Sequence, residues 1–189
     1  MSGNRSRPSS TNTLPGWFYV AGEPFPEIRI HQAHVIVAGN CYAALHQRLR
    51  GSPCRPYIAD MPLEVERADA VYYPDVMVSC HPEDLSAERV LHHPRVIIEV
   101  LSDGTAAYDR GQKFAAYRLL DSLQEYVLVD ADRRSLEIFR RLPSDDWLLA
   151  THYCARALVL ASLELEIGLD EVFEGLDREP VTASTGSPS

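Results

Sequence analysis

Three positions in this 189-residue sequence carry charged side chains where the neighbouring residues argue against them. Glu99 stands in the apolar run Val96-Ile97-Ile98-Glu99-Val100-Leu101. A carboxylate in a buried strand costs free energy unless it is paired or binds a metal. Strand alternation sets it on the face of Ile97 and Leu101. Taken alone, Glu99 is equally well a strand-end residue that reaches solvent or a salt bridge. Asp75 follows Tyr72-Tyr73-Pro74 and precedes Val76-Met77-Val78. Asp disfavours strands and Pro74 has no N–H for a ladder, so a bulge or a sheet edge must aim this carboxylate. Taken alone, Asp75 is a turn residue after proline. The third position is Lys113, four residues after Asp109 and hence on the same helix face, which Tyr117 continues. Taken alone, that is a surface ion pair worth about 0.3–0.5 kcal/mol. Together the three suggest one chemistry. Two carboxylates on neighbouring strands can hold a hard cation such as Mg2+. The cation lowers the pKa of a bound water and shields a phosphate oxygen. An ammonium above the pair stabilises charge building on a phosphorane.

The elements that must position these residues follow from periodicity and turn signals. Phe18-Tyr19-Val20 reads as a short strand before the turn Ala-Gly-Glu-Pro. The spacing predicts a first long helix over residues 31–50, with Val35, Ala38, Leu45 and Leu49 on one face and Gly51-Ser52-Pro53 as its stop. Extended segments are expected over 57–66, 71–79 and 95–102. A helix is expected over 105–120, with Ser102, Asp103 or Thr105 as N-cap. Gly111 costs about 1 kcal/mol inside a helix relative to Ala, which suggests a close approach of the backbone to the sheet. Strands over 124–130 and 135–141 flank a hairpin at Ala131-Asp132-Arg133-Arg134. Further strands are expected over 147–152 and 157–160, then a short helix over 169–174. The expected fold class is α/β (α+β): one domain, residues 16–178, around a central mixed β-sheet flanked by helices. Residues 1–15 and 179–189, built from Ser, Thr, Pro and Gly, read as a disordered leader and tail.

Composition excludes several classes of function. Hydrophobic residues make up 46% and charged residues 24%, so one globular core is affordable. The net charge of −9 disfavours a histone-like or sliding DNA binder. No apolar run approaches the ~18 residues of a membrane span, and residues 1–15 lack the apolar stretch of a secretory signal. No membrane partner is expected. The four cysteines, Cys41, Cys54, Cys80 and Cys154, form no C-x-x-C pair. They read as free, mostly buried thiols of a cytoplasmic protein. There is no Walker loop, no Rossmann glycine pattern and no G-x-S-x-G, so nucleotide cofactors and serine hydrolysis are unsupported. His31 and His34 have a metal-compatible spacing but no third ligand nearby, so zinc is not expected there. His92-His93 before Pro94 reads as a loop. Trp147 and Tyr153 read as core or interface residues.

The chain resembles the Uma-two family of restriction-endonuclease-like proteins, in the PD-(D/E)xK nuclease superfamily. The residues that carry the resemblance are Tyr73-Pro74-Asp75, Ile98-Glu99-Val100-Leu101-Ser102, the run from Tyr108 to Arg118 (Tyr-Asp-Arg-Gly-Gln-Lys-Phe-Ala-Ala-Tyr-Arg), and Ser122-Leu123-Gln124-Glu125-Tyr126-Val127-Leu128-Val129-Asp130. It spans roughly residues 19–176. It implies a restriction-endonuclease-like core and a Mg2+- or Mn2+-dependent phosphodiesterase acting on DNA. Asp75 and Glu99 would be metal ligands, with the Val100 carbonyl as a backbone ligand. In the superfamily a lysine sits two positions after the acidic residue. That position is Leu101 here, which makes Lys113 the stand-in. His34, Asp109, Tyr117 and Glu23 would be supporting residues, and His34 and Asn40 match a His and an Asn of the family's first helix. Two departures stand out. Relatives read Pro-Ser-Thr where this chain has Asp103-Gly104-Thr105, and Phe18 replaces a family glutamate.

The leading expectation is therefore a metal-dependent endonuclease, with Asp75 and Glu99 on the metal and Lys113 stabilising the transition state. A two-fold homodimer is expected, because a duplex has two strands to cut. The alternative is a catalytically degenerate member, acting as a nucleic-acid-binding or protein-interaction module. Phe18, Asp103 and the negative charge favour that alternative.

Overall fold

The computed structural model describes residues 17–20, 23–26, 31–102, 106–152 and 157–176, with the backbone alone for 17–26 and 151–152. The chain divides into two compact units, Met1–His31 and Gln32–Ser189. In the first, β1 (Trp17–Val20) and β2 (Glu23–Pro26) pair as an antiparallel hairpin.

Helix α1 (Gln32–Arg48) buries Val37, Ala38, Cys41, Ala44 and Leu45, a stripe at helical spacing. Gly51, at φ +79°, then turns the chain where a side chain would be strained. Strand β3 (Arg55–Ile58) follows. The single extended segment expected over 57–66 is broken here, because Ala59 adopts φ +46°. Beyond that kink β4 (Leu63–Val65) pairs with β5 (Ala70–Tyr72) in a separate hairpin. Strand β6 (Val76–Ser79) returns to the main sheet, and the short helix α2 (Pro82–Ser86) comes next. Proline at its first turn, followed by Glu83 and Asp84, is a helix-start signal that the sequence reading passed over.

Strand β7 (Pro94–Leu101) is the centre of the sheet. It pairs antiparallel with β6 and parallel with β8 (Glu125–Asp130). The parallel pairing needs a crossover, which is supplied by α3 (Ala106–Tyr108), a π-helical turn over Asp109–Lys113, and α4 (Phe114–Tyr117). The expected helix over 105–120 is thus shorter and contains a wide turn. Gly111 lies in that turn with open space where a Cβ would sit, so the expected close approach to the sheet is not its role. Strands β9 (Ser135–Arg141) and β10 (Trp147–His152) complete a six-stranded sheet in the order β10-β9-β8-β7-β6-β3. A last hairpin joins β11 (Ala157–Leu160) to β12 (Leu165–Gly168), and α5 (Leu169–Val172) follows.

The two faces of the sheet bury separate clusters. Val96, Ile98, Val100, Val127 and Val129 face α1 and the C-terminal residues Leu158, Ile167 and Val172. Ile97, Leu101, Tyr126 and Leu128 face Tyr117, Leu120 and Leu123 of the crossover, together with Leu63 and Leu91. Trp147 packs at the margin of the second cluster, with the Arg141 guanidinium 5.0 Å from its ring centroid, which agrees with the core reading. Tyr153 lies outside the described residues.

The cysteines depart from expectation. Cys54 and Cys80 form a disulfide. Strand register explains it: Arg55 pairs with Ser79, so the residues just beyond them face each other across two neighbouring strands. That contact is invisible at a sequence separation of 26. Cys41 is a free, buried thiol, held far above the usual range by desolvation, at about 12.

Candidate active site at the end of the central strand

The final turns of β7 gather residues from both layers. Glu99 lies on the face of Ile97 and Leu101, as alternation predicts, and is only 2% exposed. Opposite it, the chain enters β6 through Pro74 and Asp75. Pro74 has no N–H to donate to β7, and it is the Asp75 carboxylate that meets β7 here, as an acceptor. Its Oδ2 accepts the Val100 backbone N–H at 2.8 Å.

From α1, His34 Nε2 sits 3.0 Å from Asp75 Oδ1. The His34 pKa is raised, chiefly by that hydrogen bond and against partial burial; the charges of Asp75 and Glu99 and a hydrogen bond to the Val100 backbone add to it. Asp75 thus links His34 and the Val100 N–H in one cluster at the sheet edge. Asn40, by contrast, is structural. Its Nδ2 donates to the carbonyls of Val172 and Glu174, at 3.1 and 2.9 Å, and ties α1 to the C-terminal turn.

From the other layer, Lys113 reaches back to the strand. Its Nζ is 2.8 Å from Glu99 Oε1 and 3.2 Å from Asp109 Oδ1. Both carboxylates are only 3% exposed at the side chain, and the lysine 16%, so the exposed ion pair weighed from the spacing alone is not what forms. Tyr117 Oη donates to Glu99 Oε1 at 3.0 Å. Tyr126, which the sequence reading did not single out, donates from its hydroxyl to the Asp109 carbonyl at 3.0 Å. It pins the π-helical turn to the sheet. Such wide turns recur at functional sites, and this one sets Asp109 and Lys113 above Glu99.

Desolvation raises the Glu99 pKa to about 7; the charges of Asp75 and Asp109 push the same way, and Lys113 opposes them. The Lys113 pKa is also raised, with desolvation opposed by Glu99 and Asp109. Burial pushes the Tyr117 phenol up as well, so it is a donor at any physiological pH. The ends of β7 and β8 also border an open, polar cleft of about 240 Å3, lined by Ser102, Arg110, Asp130 and Arg133 among others.

Asp75, Glu99, Lys113, Val100, His34, Asp109 and Tyr117 are therefore brought together. Glu23 lies in β2, in the other unit, where only the backbone is described, and Asp103 lies outside the described residues. Phe18 is in β1. Two further buried carboxylates are structural anchors. Glu125 accepts from Arg140, from the backbone N–H of Ala161 and Ser162, and from the Ser162 hydroxyl. Asp84 accepts two backbone N–H bonds from His92 and His93.

A mixed sheet with a parallel β7–β8 pair, helices on its faces and acidic residues at the end of the central strand is a restriction-endonuclease-like fold. A solved crystal structure from Anabaena variabilis, described as "a putative nuclease belonging to DUF820", has it too. It superposes with a TM-score of 0.62 at 16% identity, over 82% of this chain and 88% of that one. Residues 7–173 match the model of the Uma2 family, whose description is "Putative restriction endonuclease", and the chain belongs to that family. Two relatives from Synechocystis sp., the uncharacterized proteins slr1290 and sll1609, are each 29% identical. The first match covers 76% of this chain and 75% of the relative, the second 69% and 75%.

Proposed function

We propose that this protein is a Mg2+- or Mn2+-dependent endonuclease that hydrolyses DNA phosphodiester bonds at the end of β7. The observation that carries the reading is the buried Glu99 carboxylate, bound by Lys113 at 2.8 Å and raised in pKa partly by the charge of Asp75. Two carboxylates and a peptide carbonyl are hard oxygen donors, the set that suits a small divalent cation. The repulsion between Asp75 and Glu99 is what such a cation would relieve, so the residues present fit the group.

Asp75, Glu99 and the Val100 carbonyl would hold the ion. When bound, it supplies Lewis-acid polarisation of the phosphate and acidifies a water. The chain's own residues do the rest. Tyr117 fixes the Glu99 carboxylate by donating to Oε1. His34 orients Asp75 from α1. Lys113 keeps an ammonium beside Glu99, where it can hydrogen-bond the attacking water and stabilise negative charge on the phosphoryl oxygens. Asp109 holds the other side of that ammonium. A homodimer would offer one such site to each strand of a duplex.

The test is cleavage of supercoiled plasmid and of single-stranded DNA in Mg2+, Mn2+ or EDTA, with Glu99→Ala and Lys113→Ala alongside. Metal-dependent nicking, reduced at least a hundredfold in both variants, is expected. Nicking that survives both substitutions would refute the assignment of these residues. No nicking by the wild type would leave the binding-only reading, favoured by Phe18 and Asp103, as the better one.

A further inference from the structure

A second cluster of ligand-type side chains lies at the opposite end of the same two strands. Asp75 enters β6 and His81 leaves it. Five residues, four of them strand β6, separate them by roughly 15–20 Å. At this far end the ring nitrogens of His81 and His93 and a Glu83 carboxylate oxygen lie within 4.8 Å of one another. Glu83 Oε2 is 3.2 Å from His93 Nε2, and the two imidazole centroids are 4.1 Å apart.

The backbone beneath them is unusually well fixed. Asp84, 1% exposed, accepts the N–H groups of both His92 and His93 at 2.9 Å. The Ser79 hydroxyl donates to the His93 carbonyl at 2.9 Å and accepts from the His81 N–H at 3.2 Å. Cys80, between Ser79 and His81, is tied to Cys54 by the disulfide. Three ligand-type side chains thus stand on a preorganised platform and point to one place. The His93–Glu83 contact accounts for only part of this arrangement. The His81 ring nitrogens have no hydrogen-bond partner among the described residues.

We propose that His81, Glu83 and His93 form a transition-metal site of the Zn2+ class, separate from the carboxylate site at the other end of the strands. Two imidazoles and one carboxylate match Zn2+, Co2+, Ni2+ or Cu2+, and they do not match Mg2+ or Ca2+, which take oxygen ligands. Three protein ligands leave a fourth position open to water or an exogenous ligand. A bound ion would clip α2 to the start of β7 and close the loop between His81 and His93. Buried Asp84 would act as the outer support that holds the His93 backbone in place. The sequence hides this site because its ligands are split as His-x-Glu and, ten residues later, the second His of His92-His93.

The proposal does not depend on the nuclease reading, and one experiment separates them. Untagged full-length protein, stripped with EDTA and kept free of reductant, is titrated calorimetrically with Zn2+ in excess Mg2+. The wild type should bind one Zn2+ at this site. His81→Gln and His93→Gln should each weaken binding at least tenfold, and Glu99→Gln should leave it unchanged. His81 is exposed and His93 half-buried against His81 and Glu83, so His81→Gln is the variant that disturbs the fold least. Circular dichroism melts of the variants without Zn2+ should match the wild type, and Zn2+ should raise the wild-type midpoint alone. No Zn2+ binding by the wild type would overturn the proposal. So would equal affinity in the histidine variants, or loss of binding only in Glu99→Gln.

Discussion

Replacing Glu99 with glutamine tests the electrostatic account of the carboxylate site without any assumption about catalysis. In the folded chain the Glu99 pKa stands at about 7, against an ordinary value of 4.5, and desolvation is the main cause. A folded-state pKa above the unfolded one means that the fold favours the protonated carboxyl. The stability this confers is fully present below about pH 4.5 and is lost as pH rises through about 7. The difference of about 2.5 in pKa, at 1.36 kcal/mol each, corresponds to roughly 3 kcal/mol. Glutamine keeps the shape and an acceptor oxygen and cannot titrate. In EDTA the unfolding free energy of Glu99→Gln, minus that of the wild type, should therefore grow by about 3 kcal/mol between pH 4.5 and pH 8. Two other raised groups do not blur the comparison. His34 loses its contribution as pH rises through its raised pKa in both proteins, chiefly through Asp75, and so largely cancels. The Lys113 contribution is lost only above its ordinary 10.5, outside this window. The assay is urea unfolding at a series of pH values. Stability curves that stay parallel, or that diverge in the opposite sense, would refute the reasoning. Added Mg2+ at pH 8 should stabilise the wild type more than the variant.

Three further outcomes follow from the packing. Tyr117→Phe removes the phenol that donates to buried Glu99 and should cost about 1.5–3 kcal/mol at pH 8, where the acceptor is charged, and less at pH 4.5, by the same urea assay. Asn40→Ala strands the carbonyls of Val172 and Glu174 and should cost about 1–3 kcal/mol; Asn40→Asp, which cannot donate, should be no better. Gly111→Ala meets open space in a helical turn and should raise stability by up to about 1 kcal/mol in thermal melts; a marked loss would mean that the π-helical turn itself requires glycine.

Much of this protein was legible in one dimension. The apolar run around Glu99 fixes a central strand, because a period-two surface buried on both faces needs continuous hydrophobic residues. The helix that follows and the next apolar strand give a mixed α and β domain around one sheet, and the hairpin at residues 131–134 is set by its turn chemistry; that β7 and β8 run parallel is a finding of the structure. Glu99 and Asp75 stood out because each contradicts its neighbours, and Lys113 because its spacing from Asp109 puts both on one helix face. Tertiary structure decided what these residues are to each other. Spacing could not tell a surface ion pair from an ammonium buried between two carboxylates, since that depends on which helix face meets the sheet and on a π-helical turn that no pattern announced. Nor could it tell that the Asp75 side chain accepts the backbone N–H of Val100. The disulfide between Cys54 and Cys80, and the convergence of His81 and Glu83 with His93, are facts of strand register and loop closure. They bring together residues far apart in sequence, and the local preferences that make a sequence readable carry no record of them.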